Sequence, residues 1–139
     1  MGLDILKIRY MKHFTINELC ATTHKGIPNI PDATIKAKLT ALVDNVLDPA
    51  REWYGKPIKI NSGYRCPKLN AAVGGVPTSQ HQKGEAADIT TGTVAENARL
   101  YDYIRTHLPY DQLINEYGFK WIHVSFRASG NRHQTVVVK

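Results

Sequence analysis

Apolar residues recur at helical spacing through Ile35, Leu39, Leu42, Val43, Val46 and Trp53, which predicts a long amphipathic helix with Asp32 as its cap. Pro49 falls inside that run. It lacks an amide hydrogen and crowds the preceding turn, so it is expected to kink or divide the helix. Upstream, Thr15-Ile16-Asn17-Glu18 fits a capping box that opens a short helix, and a Pro/Gly-rich connector runs from Gly26 to Pro31. Gly55 should stop the long helix. Pro57 to Asn61 then alternates as a strand leading into Ser62-Gly63-Tyr64-Arg65. Pro67 suits the first turn of a helix reaching Ala72, and Gly74-Gly75-Val76-Pro77 reads as a flexible loop.

The second half changes period. Ala86 to Ile89 is a short strand of small residues, and Val94 to His107 a second amphipathic helix carrying Leu100, Tyr103 and Ile104, with Leu108 just past its end. Gln112 to Tyr117 and Trp121 to Phe126 read as two strands of an antiparallel hairpin turning at Gly118, and Val136 to Val138 as an edge strand. Helices first and strands clustered later predict an α+β domain, a small antiparallel sheet with helices packed on one face. Residues 1–13 read as an N-terminal extension, because Met11-Lys12-His13-Phe14-Thr15 has the character of a domain start. Residues 14–139 then form one domain, an ordinary size for a chain that is 42% hydrophobic and 22% charged.

Charge narrows the picture only slightly. A net charge of +6 favours anionic partners, but no basic run or aromatic-interleaved basic stripe marks a nucleic-acid surface, so no nucleic-acid partner is expected. No stretch approaches the roughly 20 apolar residues of a membrane span, and Met1 to Tyr10 is too short and too charged for a signal-peptide core. A monomer is expected. Cys20 and Cys66 lack the close pairing of a zinc knuckle or redox motif and read as partly buried free thiols.

Chemistry concentrates in Ser62-Gly63-Tyr64-Arg65, Ser79-Gln80-His81, Gly84-Glu85-Ala86-Ala87-Asp88 and Trp121-Ile122-His123-Val124-Ser125. His81, Asp88 and His123 supply three ligands of the borderline type that zinc accepts. Three protein ligands with a fourth position open is the pattern of a catalytic site, whereas structural sites are closed by a fourth ligand. Alone, a histidine on an apolar strand is more often a bonded core residue, and an aspartate after alanines a cap; the argument rests on the trio together.

These motifs, with Asn70 and Gly74-Gly75-Val76-Pro77 between them, resemble the zinc D-alanyl-D-alanine carboxypeptidases and the related phage endolysin peptidases, over about Phe14 to Phe126. The family pattern of His, six residues, Asp and a distant His in an aromatic-Ile-His-Val-Ser strand is met by His81, Asp88 and His123. The resemblance implies a hedgehog/D-Ala-D-Ala-peptidase-like fold with the zinc site on the sheet. It also implies zinc as cofactor, and hydrolysis of peptidoglycan stem peptides by a D,D-carboxypeptidase or an endolysin-type endopeptidase. Action at the cell wall follows, reached from outside the cytoplasm or by phage delivery.

Relatives often carry an acid three residues before the last histidine ligand, and here that position is Lys120. Glu116 is the substitute general base. If the hairpin pairs Glu116 with Trp121 through a four-residue loop, Glu116 and His123 become diagonal neighbours on one face; another loop length would expose Asn115 instead. Arg65 is the candidate for polarising the scissile carbonyl or holding a substrate carboxylate, since guanidinium offers a planar fork of donors. Gln80 is placed to orient substrate. His24, His107 and His133 are expected at the surface or at caps, and Glu85 to face solvent rather than metal. The alternative to an enzyme is a catalytically inactive, zinc-stabilised cell-wall-binding domain.

Overall fold

Local signals set the helices. The computed structural model describes residues 11–139; residues 1–10, most of the expected extension, lie outside the described residues. Both halves of the capping box form at α1 (Ile16–Leu19), where the Thr15 hydroxyl accepts from Glu18 N at 3.1 Å and the Glu18 carboxylate accepts from Thr15 N at 3.2 Å. Asp32 caps α2 (Ala33–Leu42) by accepting from Ile35 N at 2.8 Å. The helix divides where proline requires it. α2 passes into a π-helical turn, Val43–Leu47, before α3 (Asp48–Tyr54) carries Pro49 in its first turn. Pro49 has no proton for the Asn45 carbonyl, and the wider turn, in which Asp48 N donates to the Val43 carbonyl, absorbs that gap. Gly55 then ends α3 at φ +76°, a left-handed conformation glycine adopts without strain.

The remaining elements are β1 (Lys59–Ser62), α4 (Pro67–Ala72), β2 (Ala86–Thr90), α5 (Val94–His107), β3 (Gln112–Glu116), β4 (Trp121–Ser125) and β5 (Gln134–Val138). The strands form one sheet in the order β1-β2-β4-β3-β5. The expectation of an antiparallel sheet holds for three of the pairings, but β5 lies parallel to β3, with Gln112 opposite Gln134 and Glu116 opposite Val138. The cause is topological. β4 ends where β3 begins, so a chain that rounds that end of the sheet and returns along β3's free edge must run in β3's direction.

Alternation divides the sheet into two faces. Ala87, Ile89, Leu113, Ile122 and Val124 are buried against Leu39, Val43, Val46, Leu47, Leu100 and Ile104 of the helices in one core. Asp88, His123 and Glu116 belong to the other face. Burying a Leu or Ile is worth about 1.5–3 kcal/mol, so a one-residue slip of β2 on β4 would forfeit several such terms at once. The pairing of Asp88 with His123 is therefore held by the core beneath it. Trp53, read from its spacing as an inward residue, is instead 40% exposed and stacks on Tyr103 at 4.4 Å between ring centroids. Met11, Lys12 and His13 lie against the helical layer, their amides bonded to the carboxylates of Asp44 and Asp48. Cys20 and Cys66 are half-buried free thiols, as expected.

Candidate active site

His81 sits in a run of tight turns between α4 and β2, and three bonds determine where its ring points. Its carbonyl accepts from Arg65 N at 3.0 Å, its amide donates to Ser79 Oγ at 3.2 Å, and Nδ1 lies 2.7 Å from the Gly63 carbonyl. A carbonyl only accepts, so Nδ1 carries the proton and, in the neutral ring, Nε2 presents its lone pair. Gly63 is needed at this point, because a Cβ there would collide with the Leu19 carbonyl. The loop expected to be flexible is pinned, since Asn70 Nδ2 donates to the Val76 carbonyl at 2.8 Å and to Gln82 Oε1 at 3.2 Å.

Asp88 and His123 face each other from adjacent strands, and β1 bulges at Asn61 beside them, Ile60 pairing with Ile89 and Ser62 with Asp88. Asp88 Oδ1 lies 3.3 Å from His81 Nε2 and 3.1 Å from His123 Nδ1. Ligand atoms about 2.0–2.1 Å from a tetrahedral zinc stand about 3.3 Å apart, so this spacing fits a common ion. Among the described residues this is the one group of three or more His, Cys, Asp or Glu whose ligand atoms converge, all within 4.8 Å. A lone pair facing a carboxylate oxygen at 3.3 Å is repulsive unless a proton or a metal cation stands between them. Burial acts to raise the Asp88 pKa, but the adjacent His123 and His81 rings outweigh it and hold the carboxyl well below the usual range.

The trio forms part of the floor of an open groove of about 960 Å³ on the solvent face of the sheet. The sequence model of the peptidase M15 family matches residues 12–125. The chain belongs to the peptidase M15 family. No curated protein matches the chain.

M15 peptidases are typically zinc-dependent, and the His81, Asp88 and His123 cluster of this M15 chain could hold such an ion. The hairpin has the register that puts Glu116 opposite Trp121, so Glu116 is diagonal to His123 on the groove face. Asn115 points the other way and its side chain accepts from Phe119 N at 2.6 Å. Burial, reinforced by repulsion from Asp88 and opposed by attraction to His123, raises the Glu116 pKa. Arg65 also lines the groove; burial lowers its pKa against the pull of Asp88, its Nη2 reaches Ser79 Oγ at 3.4 Å, and its Nε is buried without a partner. Gln80 Nε2 donates to Asp111 at 2.9 Å while Oε1 is buried and unpartnered, as is Trp121 Nε1.

Sequence reasoning missed what holds Gln80. The fully buried Asp111 carboxylate accepts from Gln80 Nε2 and from Arg132 N, Nε and Nη2 at 2.7–3.0 Å. Hydrogen bonds from Arg132, against burial, keep its pKa well below the usual range. Its only signal in the sequence is an aspartate just ahead of a strand, which reads equally well as a turn former. One further expectation needs correction. Glu85 does not face open solvent, since its side chain is 12% exposed and pairs with Lys38 at 3.8 Å. His133 is exposed, as expected, with its ring stacked on Tyr110 at 4.0 Å and its Nε2 near the carbonyl of Leu108, the residue that caps α5. Lys120 is exposed in the hairpin turn. Among the described residues no helix is long and apolar enough to cross a membrane.

Proposed function

We propose that this M15 peptidase uses zinc held by His81, Asp88 and His123 to hydrolyse peptide bonds in bacterial cell-wall stem peptides. One observation carries the reading. Three ligand atoms from a loop and two central strands converge within 4.8 Å of one another beneath a groove, the Asp88 oxygen 3.3 and 3.1 Å from the two histidine nitrogens, with Glu116 diagonal to His123. When bound there, zinc would supply Lewis-acid polarisation of the scissile carbonyl and a more acidic water.

The chain's own groups do the rest. Glu116 takes the proton from the attacking water on its carboxylate and returns it to the leaving amine; a raised pKa makes it a better proton acceptor and keeps the proton available. Arg65 offers its guanidinium donors to the scissile carbonyl oxygen or to a substrate carboxylate. Gln80, clamped by Asp111 through its amide nitrogen, lines the groove and is placed to orient substrate. The net charge of +6 suits an anionic wall polymer.

Metal analysis combined with digestion of purified cell wall tests the proposal. About one zinc per chain and release of stem-peptide fragments are expected. Glu116→Gln should keep the zinc and lose about 10²–10⁴-fold in turnover. Zinc with wall binding but no release would identify an inactive wall-binding domain, and no zinc at all would sink the ligand assignment.

A further inference from the structure

Helix α5 presents a stripe of buried residues to the core, and the stripe is not wholly apolar. Leu100 and Ile104 are fully buried, and Asn97, a turn upstream on the same stripe, is 1% exposed. A buried amide is costly unless its donors and acceptor are all used. Asn97 uses them. Its Oδ1 accepts from Thr91 N and Thr91 Oγ1, each at 2.7 Å. Its Nδ2 donates to the Phe119 carbonyl at 2.9 Å, to Thr90 Oγ1 at 3.1 Å and to the Lys120 carbonyl at 3.3 Å. A backbone N–H on one side and two carbonyls on the other fix which amide atom is which. One side chain thus ties the end of β2 to the turn between β3 and β4.

That turn is strained. Tyr117, Gly118 and Phe119 are left-handed in succession, at φ 53°, 68° and 64°, a conformation that only the glycine adopts freely. Asn115 Oδ1 holds Phe119 by its amide and Asn97 holds it by its carbonyl. Lys120 N then donates to the Glu116 carbonyl at 3.0 Å and closes the hairpin. The metal cluster is secured differently. Asp88 and His123 lie within their strands, Asp88 paired with Ser62 and His123, and His123 with Asp88 and Ile114. Glu116 is the last residue of β3, and the strained turn begins at the next residue, so the direction of its carboxylate depends on that turn.

We propose that Asn97 is a positioning residue for Glu116: its amide holds the strained turn closed and so keeps the proton-accepting carboxylate on the groove face, without touching substrate or metal ligands. The inference rests on the zinc-peptidase reading above. It has a distinctive consequence, because a side chain that restrains strain is no longer needed once the strain is removed.

Asn97→Ala and the double variant Asn97→Ala with Phe119→Gly test this. The readouts are zinc content, kcat and KM on soluble stem peptide, and hydrogen exchange of the Lys120 amide in metal-free protein. Asn97→Ala should keep its zinc and lose about 10²-fold in kcat with little change in KM, the cost of misplacing a reacting group by about 1 Å. Its Lys120 amide should exchange about 10-fold faster, the scale of one lost buried hydrogen bond. Adding Phe119→Gly should restore most of the kcat and the slow exchange, even though the Phe119 ring is lost from its edge contact with Tyr101 at 5.2 Å. Asn97→Asp keeps the acceptor for Thr91 and removes the donor to the turn, so it should repeat the alanine result and replaces that variant if alanine does not fold. Wild-type kcat in the single variants, loss of their zinc, or a double variant as slow as Asn97→Ala would overturn the assignment. No hydrolysis by zinc-loaded wild-type protein would count instead against the peptidase reading, while Lys120 exchange across the variants still decides whether Asn97 holds the turn.

Discussion

Asp111→Asn probes the clamp behind Gln80. In the native protein Asp111 Oδ1 accepts from Arg132 N at 2.9 Å and Nε at 3.0 Å, while Oδ2 accepts from Arg132 Nη2 at 2.7 Å and Gln80 Nε2 at 2.9 Å. Asparagine keeps the shape but turns one of these oxygens into a donor, so two bonds are lost and two donors face an NH2 group. A hydrogen bond to a charged group contributes about 1.5–3 kcal/mol. The half-exposed Arg132 side chain recovers part of this from water, and Gln80 can flip its amide to bond the new NH2. The net loss should be about 3 kcal/mol. In urea, with a slope of about 2 kcal/mol/M, that lowers the unfolding midpoint by about 1.5 M. The flip also puts Nε2 of Gln80 where the buried Oε1 stood and disturbs that side chain in the groove wall, so KM for stem peptide should rise more than kcat falls.

The same clamp has a pH signature. A folded pKa held below the unfolded value, about 3.9 for Asp, contributes stability that is fully present above that value and lost as pH falls through the folded pKa. The gap between wild type and Asp111→Asn, measured on metal-free protein, should thus be constant above about pH 5 and narrow below about pH 4. A loss under about 1 kcal/mol at pH 7, or a gap that widens in acid, would refute the reasoning.

Three other outcomes are expected. His81→Ala and His123→Ala should each lose zinc by metal analysis, and retention in both would remove the ligand assignment. Arg65→Lys should fail to restore what Arg65→Ala loses in kcat/KM on one defined stem peptide, since an ammonium lacks the guanidinium's planar fork; full activity in Arg65→Ala would return the residue to a structural role. Gly63→Ala should destabilise by about 1–3 kcal/mol in chemical unfolding and also weaken zinc affinity, because its Cβ meets the Leu19 carbonyl and displaces the anchor of His81 Nδ1; unchanged affinity would separate the two effects.

Much of this protein is written in short-range patterns. The capping box at Thr15, the Asp32 cap, Pro67 at the start of α4 and the span of α5 each depend on residues within a turn or two of one another, so their physics is complete before the chain folds. The hairpin belongs with them. A four-residue turn and a period of two suffice to put Glu116 and His123 on one face. The motifs likewise named His81, Asp88 and His123, which the fold then brought together.

Other features needed distant partners. β5 could pair with either free edge of the sheet by its own pattern, and the route of the chain around the end of β3 selected the parallel one. Asp111 met Gln80 across 31 positions and Arg132 across 21, and no local spacing encodes a carboxylate buried beneath four donors. The proton on His81 Nδ1 follows from a carbonyl 18 residues away, at a glycine whose missing side chain lets Leu19 approach. Helices, strands and ligand types come from contacts the chain makes with its near neighbours. The orientation of each reactive atom comes from burial and hydrogen bonds between distant segments, which exist only once the sheet has closed over its core.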